Sequence, residues 1–258
     1  MKVVVLCGGL GTRLREETEF RPKPLVEIGG RPILWHIMKM YAHHGFRDFV
    51  LCLGYRGNMI KEYFLNYEAM SNDFTICLGQ KSQISFNGCH TEQNFRVTLA
   101  DTGLNSMTGG RVRRIQKYID SGTFMVTYGD GVADLDITAL VSFHRAHGKL
   151  ATVTSVRPVS RYGVLDLDGG GKVAHFVEKP RVEGWVSVGF FVFERGVLDY
   201  LGGDDCILER EPMERLAADG QIMAYRHDGF FYPMDTYREY QYLNDLWANK
   251  AAPWKVWS

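Results

Sequence analysis

The sequence predicts an α/β fold: a mixed, mainly parallel sheet flanked by helices, with an antiparallel, loop-rich C-terminal half. Three observations carry this expectation. Lys2 to Cys7 is a continuous β-branched and apolar run closed by glycine, the pattern of a strand buried on both faces. Up to residue 156, strand-length apolar runs alternate with segments of helical period, as parallel sheets covered by helices require. From Arg161 onward, short apolar runs are instead separated by turn residues such as Asp168 to Gly171.

Taken in order, the Lys2–Cys7 strand leads to a helix over Arg31 to His44. There Ile33, Leu34, Ile37, Met38 and Tyr41 share one face, Pro32 suits a first turn and Gly45 is the stop. Phe49 to Leu53 is the second strand and Gly57 to Tyr67 the second helix. Residues 73 to 101 read as a hairpin-like excursion, with extended pieces at Phe74 to Leu78 and Phe95 to Ala100. Alternation resumes with a helix over Met107 to Tyr118, a strand over Thr123 to Thr127, a helix over Asp136 to His147 and a strand over Val153 to Val156. The remaining strands are Val164 to Leu167, Val173 to Val177 and Val186 to Phe193, followed by helices at Ile207 to Ala218 and Tyr237 to Lys250.

With 258 residues, 45% of them apolar and 23% charged, the chain can bury a sizeable core without disulfide or metal staples. No internal repeat or linker divides it, so one domain over residues 1–258 is expected. Thirty basic residues balance thirty acidic ones. No long-range positive field is then available for a polyanion, which argues against nucleic acid as a partner. No apolar stretch reaches the length of a membrane span, and the N-terminal run is too short for a signal-peptide core, so a cytoplasmic protein with no membrane partner is expected. The five cysteines are widely spaced without a CxxC pair, which favours reduced and mostly buried thiols.

The first strand runs into Gly8, Gly9, Leu10, Gly11, Thr12 and Arg13, at the sheet edge where α/β proteins bind ligands. Glycines there let backbone N–H groups approach anionic oxygens. The loop fits neither of two common phosphate motifs: Leu14 stands where a dinucleotide fingerprint needs its third glycine, and Gly11-Thr12-Arg13 is not a P-loop ending. Lys23 follows within Arg21-Pro22-Lys23-Pro24, whose prolines hold the segment out of a regular helix. Two cations beside a glycine cradle suit a polyphosphate, although spacing alone equally allows solvated surface charges. Asp130 stands at the carboxyl end of its strand, where a carboxylate can hold Mg²⁺ together with phosphate oxygens. Asp235, just before the last helix, is either a second metal carboxylate or a helix cap. Asp136 reads as an N-cap and Asp134 as loop. The neighbouring histidines His43, His44, His144 and His147 lack partners at zinc spacing.

At these residues the sequence resembles a known family. VVVLCGGLGTRLREET and RPKPLVEIGGRPILWHIMKMYAHHG are similar to the N-terminal signature of the sugar-1-phosphate nucleotidylyltransferases. ADTGLNSMTGGRVRRI, TYGDGVADLD, VEKP and YPMDTYREYQYLNDLW resemble the cytidylyltransferase branch. The similarity spans nearly the whole chain and is weakest between Lys81 and Gln93. It implies a Rossmann-like fold of the nucleotide-diphospho-sugar transferase type, with residues 1–150 mainly binding nucleotide and 151–258 mainly binding sugar phosphate. Leu6, Cys7 and Gly8 to Arg13 would wrap the base and phosphates of CTP, with Lys23 on the phosphates and Ser106, Arg111 and Gly129 completing the pocket. Asp130 and Asp235 would share Mg²⁺. Gly163, Glu178 and Lys179 would hold the sugar and its phosphate, with Arg13, Lys23, Asp130 and Lys179 as the catalytic set. Ser187 and Gly189 fall where the family has Asn-Gly-Gly, so the shorter serine replaces an asparagine that contacts sugar. Cys7 replaces the usual alanine.

The implied reaction is in-line attack by α-D-glucose 1-phosphate on the α-phosphorus of CTP, giving CDP-glucose and pyrophosphate without a general base. A homo-oligomer is implied too, hexameric in the members most resembled, with the Asn72 to Gln93 excursion as the segment available for it. Three alternatives stay open: another sugar 1-phosphate or UTP or dTTP with the same chemistry, a glycosyltransferase using Asp134-Leu135-Asp136 as a DxD motif, and a non-catalytic nucleotide-sugar sensor.

Overall fold

In the computed structural model, residues 1–79, 83–120, 122–160, 162–181 and 183–257 are described. Strand β1 (Lys2–Cys7) pairs parallel with β2 (Asp48–Leu53), which in turn pairs parallel with β3 (Arg96–Asp101). On its other side β1 pairs parallel with β4 (Phe124–Tyr128). The eight-stranded sheet continues through β5 (Ala151–Val156), β6 (Val186–Ser187), β7 (Phe191–Phe193) and β8 (Ile222–Arg226). Strand β7 is antiparallel to both β4 and β5, β6 is antiparallel to β5, and β8 is parallel to β5.

Successive residues of β1 face opposite cores, as the period of a strand dictates. Val3 and Val5 pack with Ile33, Ile37 and Tyr41 of helix α1 (Ile33–His43). Val4 and Leu6 pack on the other face, over helix α3 (Thr108–Arg114), where Val112 is fully buried. The other longer helices are α2 (Gly57–Leu65), α4 (Ile137–His147), α5 (Glu211–Ala218) and α6 (Tyr237–Ala248), beside two of a single turn, Arg15–Thr18 and Tyr67–Ser71. Leu140 of α4 and Leu243 of α6 join the first core, and Leu216 of α5 the second. The chain is thus a mixed parallel and antiparallel sheet with helices on both faces.

Several expectations are corrected. The Phe95 to Ala100 run is not part of the excursion; it is β3, held parallel to β2 in the main sheet. The excursion itself is a two-stranded hairpin, Asp73–Ile76 with Ile84–Asn87, and residues 80–82 between them lie outside the described residues. The run Val186 to Phe193 is two strands. Gly189 (φ 80°) and Phe190 (φ 46°) take left-handed backbone between β6 and β7 and interrupt the extended chain. The C-terminal half is mixed, because β8 runs parallel to β5. Arg31 and Pro32 precede α1 and pair with Glu27–Ile28 as a short ladder. Helix α3 ends at Arg114, followed by a 3₁₀ turn over Gln116–Tyr118, and α5 begins only at Glu211. Among the cysteines, Cys7 and Cys52 are buried but Cys77 and Cys89 are exposed. Among the described residues, no helix is long and apolar enough to cross a membrane.

Candidate active site

The parallel strands β1 to β4 all end at one edge of the sheet. There, Leu6 to Arg13, Lys23, Ser106, Arg111, Gly129 and Asp130 line a single cleft of about 560 Å³. Its floor is the glycine loop. Gly11 has φ 67°, a left-handed conformation in which its carbonyl accepts from Leu14 N (3.0 Å) and from Thr18 Oγ1 (2.9 Å). Gly8 leaves no room for a β-carbon, because the Arg111 guanidinium lies against it.

Arg111 is 5% exposed, and four of the five hydrogen bonds of its guanidinium go to backbone carbonyls. Nη1 donates to the carbonyls of Leu53 (3.0 Å) and Gly103 (2.8 Å) and to Thr102 Oγ1 (2.9 Å), while Nη2 donates to the carbonyls of Gly8 (3.0 Å) and Leu104 (3.2 Å). Burial lowers its pKa. It ties together the ends of β1, β2 and β3, so its contribution to the cleft is the position of the loop. Ser106 Oγ donates to Asp204 (3.2 Å), which is held bidentate by Arg114. Burial pushes the Cys7 thiol far up, leaving an inert neutral group under the loop.

The charged end of the cleft brings distant residues together. The Lys23 ammonium donates to Asp130 Oδ2 and to Asp235 Oδ1, both at 2.6 Å, and Arg13 Nη1 lies 2.9 Å from Asp235 Oδ2. Two short elements make this possible. Lys23 starts a 3₁₀ turn (Lys23–Leu25) set by Pro22 and Pro24. A three-residue ladder, Gly131–Ala133 with Phe231–Pro233, continues into a bond from Met234 N to the Asp130 carbonyl (2.8 Å), so Asp130 and Asp235 become neighbours. Asp235 does not cap helix α6. Thr236 takes that place in a capping box with Glu239, which leaves the Asp235 carboxylate to the cleft.

The DxD alternative fails on this geometry. Asp136 accepts from Ala139 N (2.9 Å) as the N-cap of α4. Asp134 accepts from Phe230 N (2.7 Å) and lies 2.9 Å from His227 Nε2. Both carboxylates are used to hold the fold. Among the described residues no cluster of three or more His, Cys, Asp or Glu is placed to hold a metal. A divalent ion between Asp130 and Asp235 would therefore need further oxygens from phosphate and water, a donor set suited to Mg²⁺.

None of the sugar-side residues lines this cleft. Glu178 and Lys179 follow an exposed hairpin, Val164–Leu167 with Val173–Val177, and their side chains are 61% and 51% exposed. Lys179 has φ 48°, and its ammonium is 3.8 Å from Glu178 Oε1. A β-carbon on Gly163 would run into Phe176 and against the Glu178 carboxylate, so these residues do share one corner. Ser187 is exposed in β6, and Gly189 packs under the ring of Tyr128, which lines the cleft.

Sequence reasoning missed Tyr128 and Thr108, which line the cleft, and Glu209, which holds both. Tyr128 Oη donates to Glu209 Oε1 (2.5 Å) and Thr108 Oγ1 to Glu209 Oε2 (2.6 Å). Burial and the adjacent Glu209 carboxylate raise the Tyr128 pKa. Tyr128 could have been found as the last residue of the strand before Asp130; Glu209 carries no signal in its own segment.

Comparison with known proteins bears on this arrangement. The family model described as "Nucleotidyl transferase" matches residues 2–218. The chain is 51% identical, over the whole length of both proteins, to the glucose-1-phosphate cytidylyltransferase of Salmonella typhi. Its fold is shared with HddC from Yersinia pseudotuberculosis (TM-score 0.69, 22% identity, 95% of this chain and 99% of that one). It is shared equally with a UDP-glucose pyrophosphorylase solved with UDP-glucose (TM-score 0.70, 16% identity, 96% and 98%). The chain belongs to the nucleotidyl transferase family and, within it, to the glucose-1-phosphate cytidylyltransferases.

Proposed function

We propose that this enzyme joins CTP to α-D-glucose 1-phosphate, giving CDP-glucose and pyrophosphate. The observation that supports it most is the cluster of Lys23, Arg13, Asp130 and Asp235 beside a glycine loop. Two cations and two carboxylates at one end of a nucleotide-sized cleft are what a triphosphate and its divalent ion require. The 51% identical relative named above supports the choice of substrates.

In this reading the N–H groups of residues 8–13 face the phosphates, and Lys23 and Arg13 neutralise the oxygens of the leaving pyrophosphate. Asp130 and Asp235 would hold Mg²⁺, which when bound offsets charge on the phosphates. Lys179 and Glu178 would orient the sugar phosphate, with Gly163, Ser187 and Gly189 lining that side. The attacking phosphate is already an anionic nucleophile, so alignment and charge neutralisation suffice and no general base is needed. Residues 1–150 then serve mainly the nucleotide and 151–258 mainly the sugar phosphate. Ser187, in place of the asparagine of the resembled family, favours testing other hexose 1-phosphates beside glucose. A homo-oligomer belongs to the proposal as well, supported by the exposed Phe74, Ile76, Ile84 and Phe86 of the 73–87 excursion.

Pyrophosphate release from CTP, UTP, GTP and dTTP, each paired with several sugar 1-phosphates, tests the proposal. CTP with glucose 1-phosphate is expected to give the highest kcat/KM. A preference of tenfold or more for another pair would replace the substrates named here.

A further inference from the structure

The geometry points to a second task for Lys23: it bars the divalent ion from the nucleotide-free site, so that metal enters only together with the triphosphate. This rests on the reading of the cleft given above. The Lys23 ammonium stands 2.6 Å from an oxygen of each carboxylate, the position a shared cation would take, and its side chain is only 10% exposed. Arg13 pairs with the second oxygen of Asp235. Two positive and two negative groups balance each other in a partly buried corner. An arriving divalent ion would have to displace the ammonium from both acids and leave it beside a doubly charged neighbour without an anion.

A triphosphate removes that obstacle. Its oxygens, bound on the adjacent glycine loop, offer Lys23 a new anionic partner. The Lys23 backbone is fixed by Pro22 and Pro24, but its four-carbon stem can swing from acid to phosphate. Arg13, with 71% of its side chain exposed, is free to follow. The exchange frees Asp130 and Asp235 at the moment when phosphate oxygens become available to complete the shell of the ion. After reaction, departure of pyrophosphate with its metal would return Lys23 to the acids.

The test is a Mn²⁺ titration of the full chain without nucleotide, read by electron paramagnetic resonance. Wild type is expected to bind Mn²⁺ weakly. Lys23→Met and Lys23→Gln are each expected to gain one site at least tenfold tighter, which Asp235→Asn added to either variant removes. Wild-type binding as tight as that of the Lys23 variants, or a gained site that survives Asp235→Asn, overturns the inference. Should neither Lys23 variant fold, thermal unfolding of wild type decides. Mg²⁺ alone is expected to leave Tm unchanged, and Mg²⁺ with CTP to raise it above CTP alone. A rise with Mg²⁺ alone as large as that with both contradicts the inference. Turnover separates the two levels of the argument: CDP-glucose formation by an enzyme that binds Mn²⁺ tightly alone sinks only the exclusion. Absence of pyrophosphate from every nucleotide sinks the functional reading even if Lys23 behaves as described.

Discussion

The nucleotide cleft and the sugar-side hairpin are built in opposite ways. Each wall of the cleft follows a strand of the main sheet, and the buried Arg111 fixes the ends of three of them through five hydrogen bonds. Glu178 and Lys179, by contrast, end a hairpin in which every residue of both strands is exposed. In the first region the glycine loop and the strand ends are preorganised, and only the Lys23 and Arg13 side chains change partners. The second must gain its order from the ligand or from a neighbouring surface.

That contrast can be broken most directly at the acids. Asp130→Asn should lower the rate of pyrophosphate release by about 10³-fold or more, with unchanged circular dichroism, because the half-buried Asp130 carboxylate bonds Lys23 rather than holding backbone. Arg111→Met should act on stability as well as binding. It removes five charge-assisted hydrogen bonds, three of them buried, so a loss of about 3–5 kcal/mol in denaturant unfolding is expected, together with a raised KM for CTP. Lys179→Ala should sharpen the distinction. A rise of about 10- to 100-fold in KM for the sugar phosphate is expected, with KM for CTP and Tm unmoved, since an exposed lysine orders nothing in the free protein. An equal effect on both substrates would show that the two regions are not separate.

A smaller effect concerns acid. His36 is a buried residue of α1, whose Nε2–H donates to the Ile28 carbonyl (2.9 Å) and whose Nδ1 accepts from Trp254 Nε1 (3.3 Å). Burial lowers its pKa to about 4 from an ordinary 6.5. The unfolded chain therefore takes up a proton at higher pH than the folded one. The stability this histidine contributes is complete above pH 6.5 and is lost as pH falls toward 4, by about 2 kcal/mol at pH 5. Unfolding followed from pH 7 to 4 should show that slope in wild type and a flatter profile in His36→Gln.

What was legible in the sequence was local. The first strand, the glycine loop and the position of Asp130 follow from a run of apolar residues meeting glycines, and Asp136 was readable as a cap because its helix begins at once. Asp235 was ambiguous, since the choice between cap and cleft is made by Thr236 and by a ladder joining segments one hundred residues apart. The break at Gly189 and Phe190 was hidden inside an apolar run, because it is a shift of register along one strand: both halves pair with β5, Ser187 opposite Ser155 and Val192 opposite Thr152. The loop-fixing role of Arg111 was invisible for another reason: its partners are mostly carbonyls, which every residue carries.

The central claim is that this cleft transfers a nucleotidyl group from a triphosphate. Incubation of the wild-type enzyme with CTP, α-D-glucose 1-phosphate and Mg²⁺, with no further acceptor, tests it most directly. One pyrophosphate per CDP-glucose formed is the expected result. Absence of pyrophosphate, with CDP-glucose consumed only when an acceptor is supplied, would contradict it.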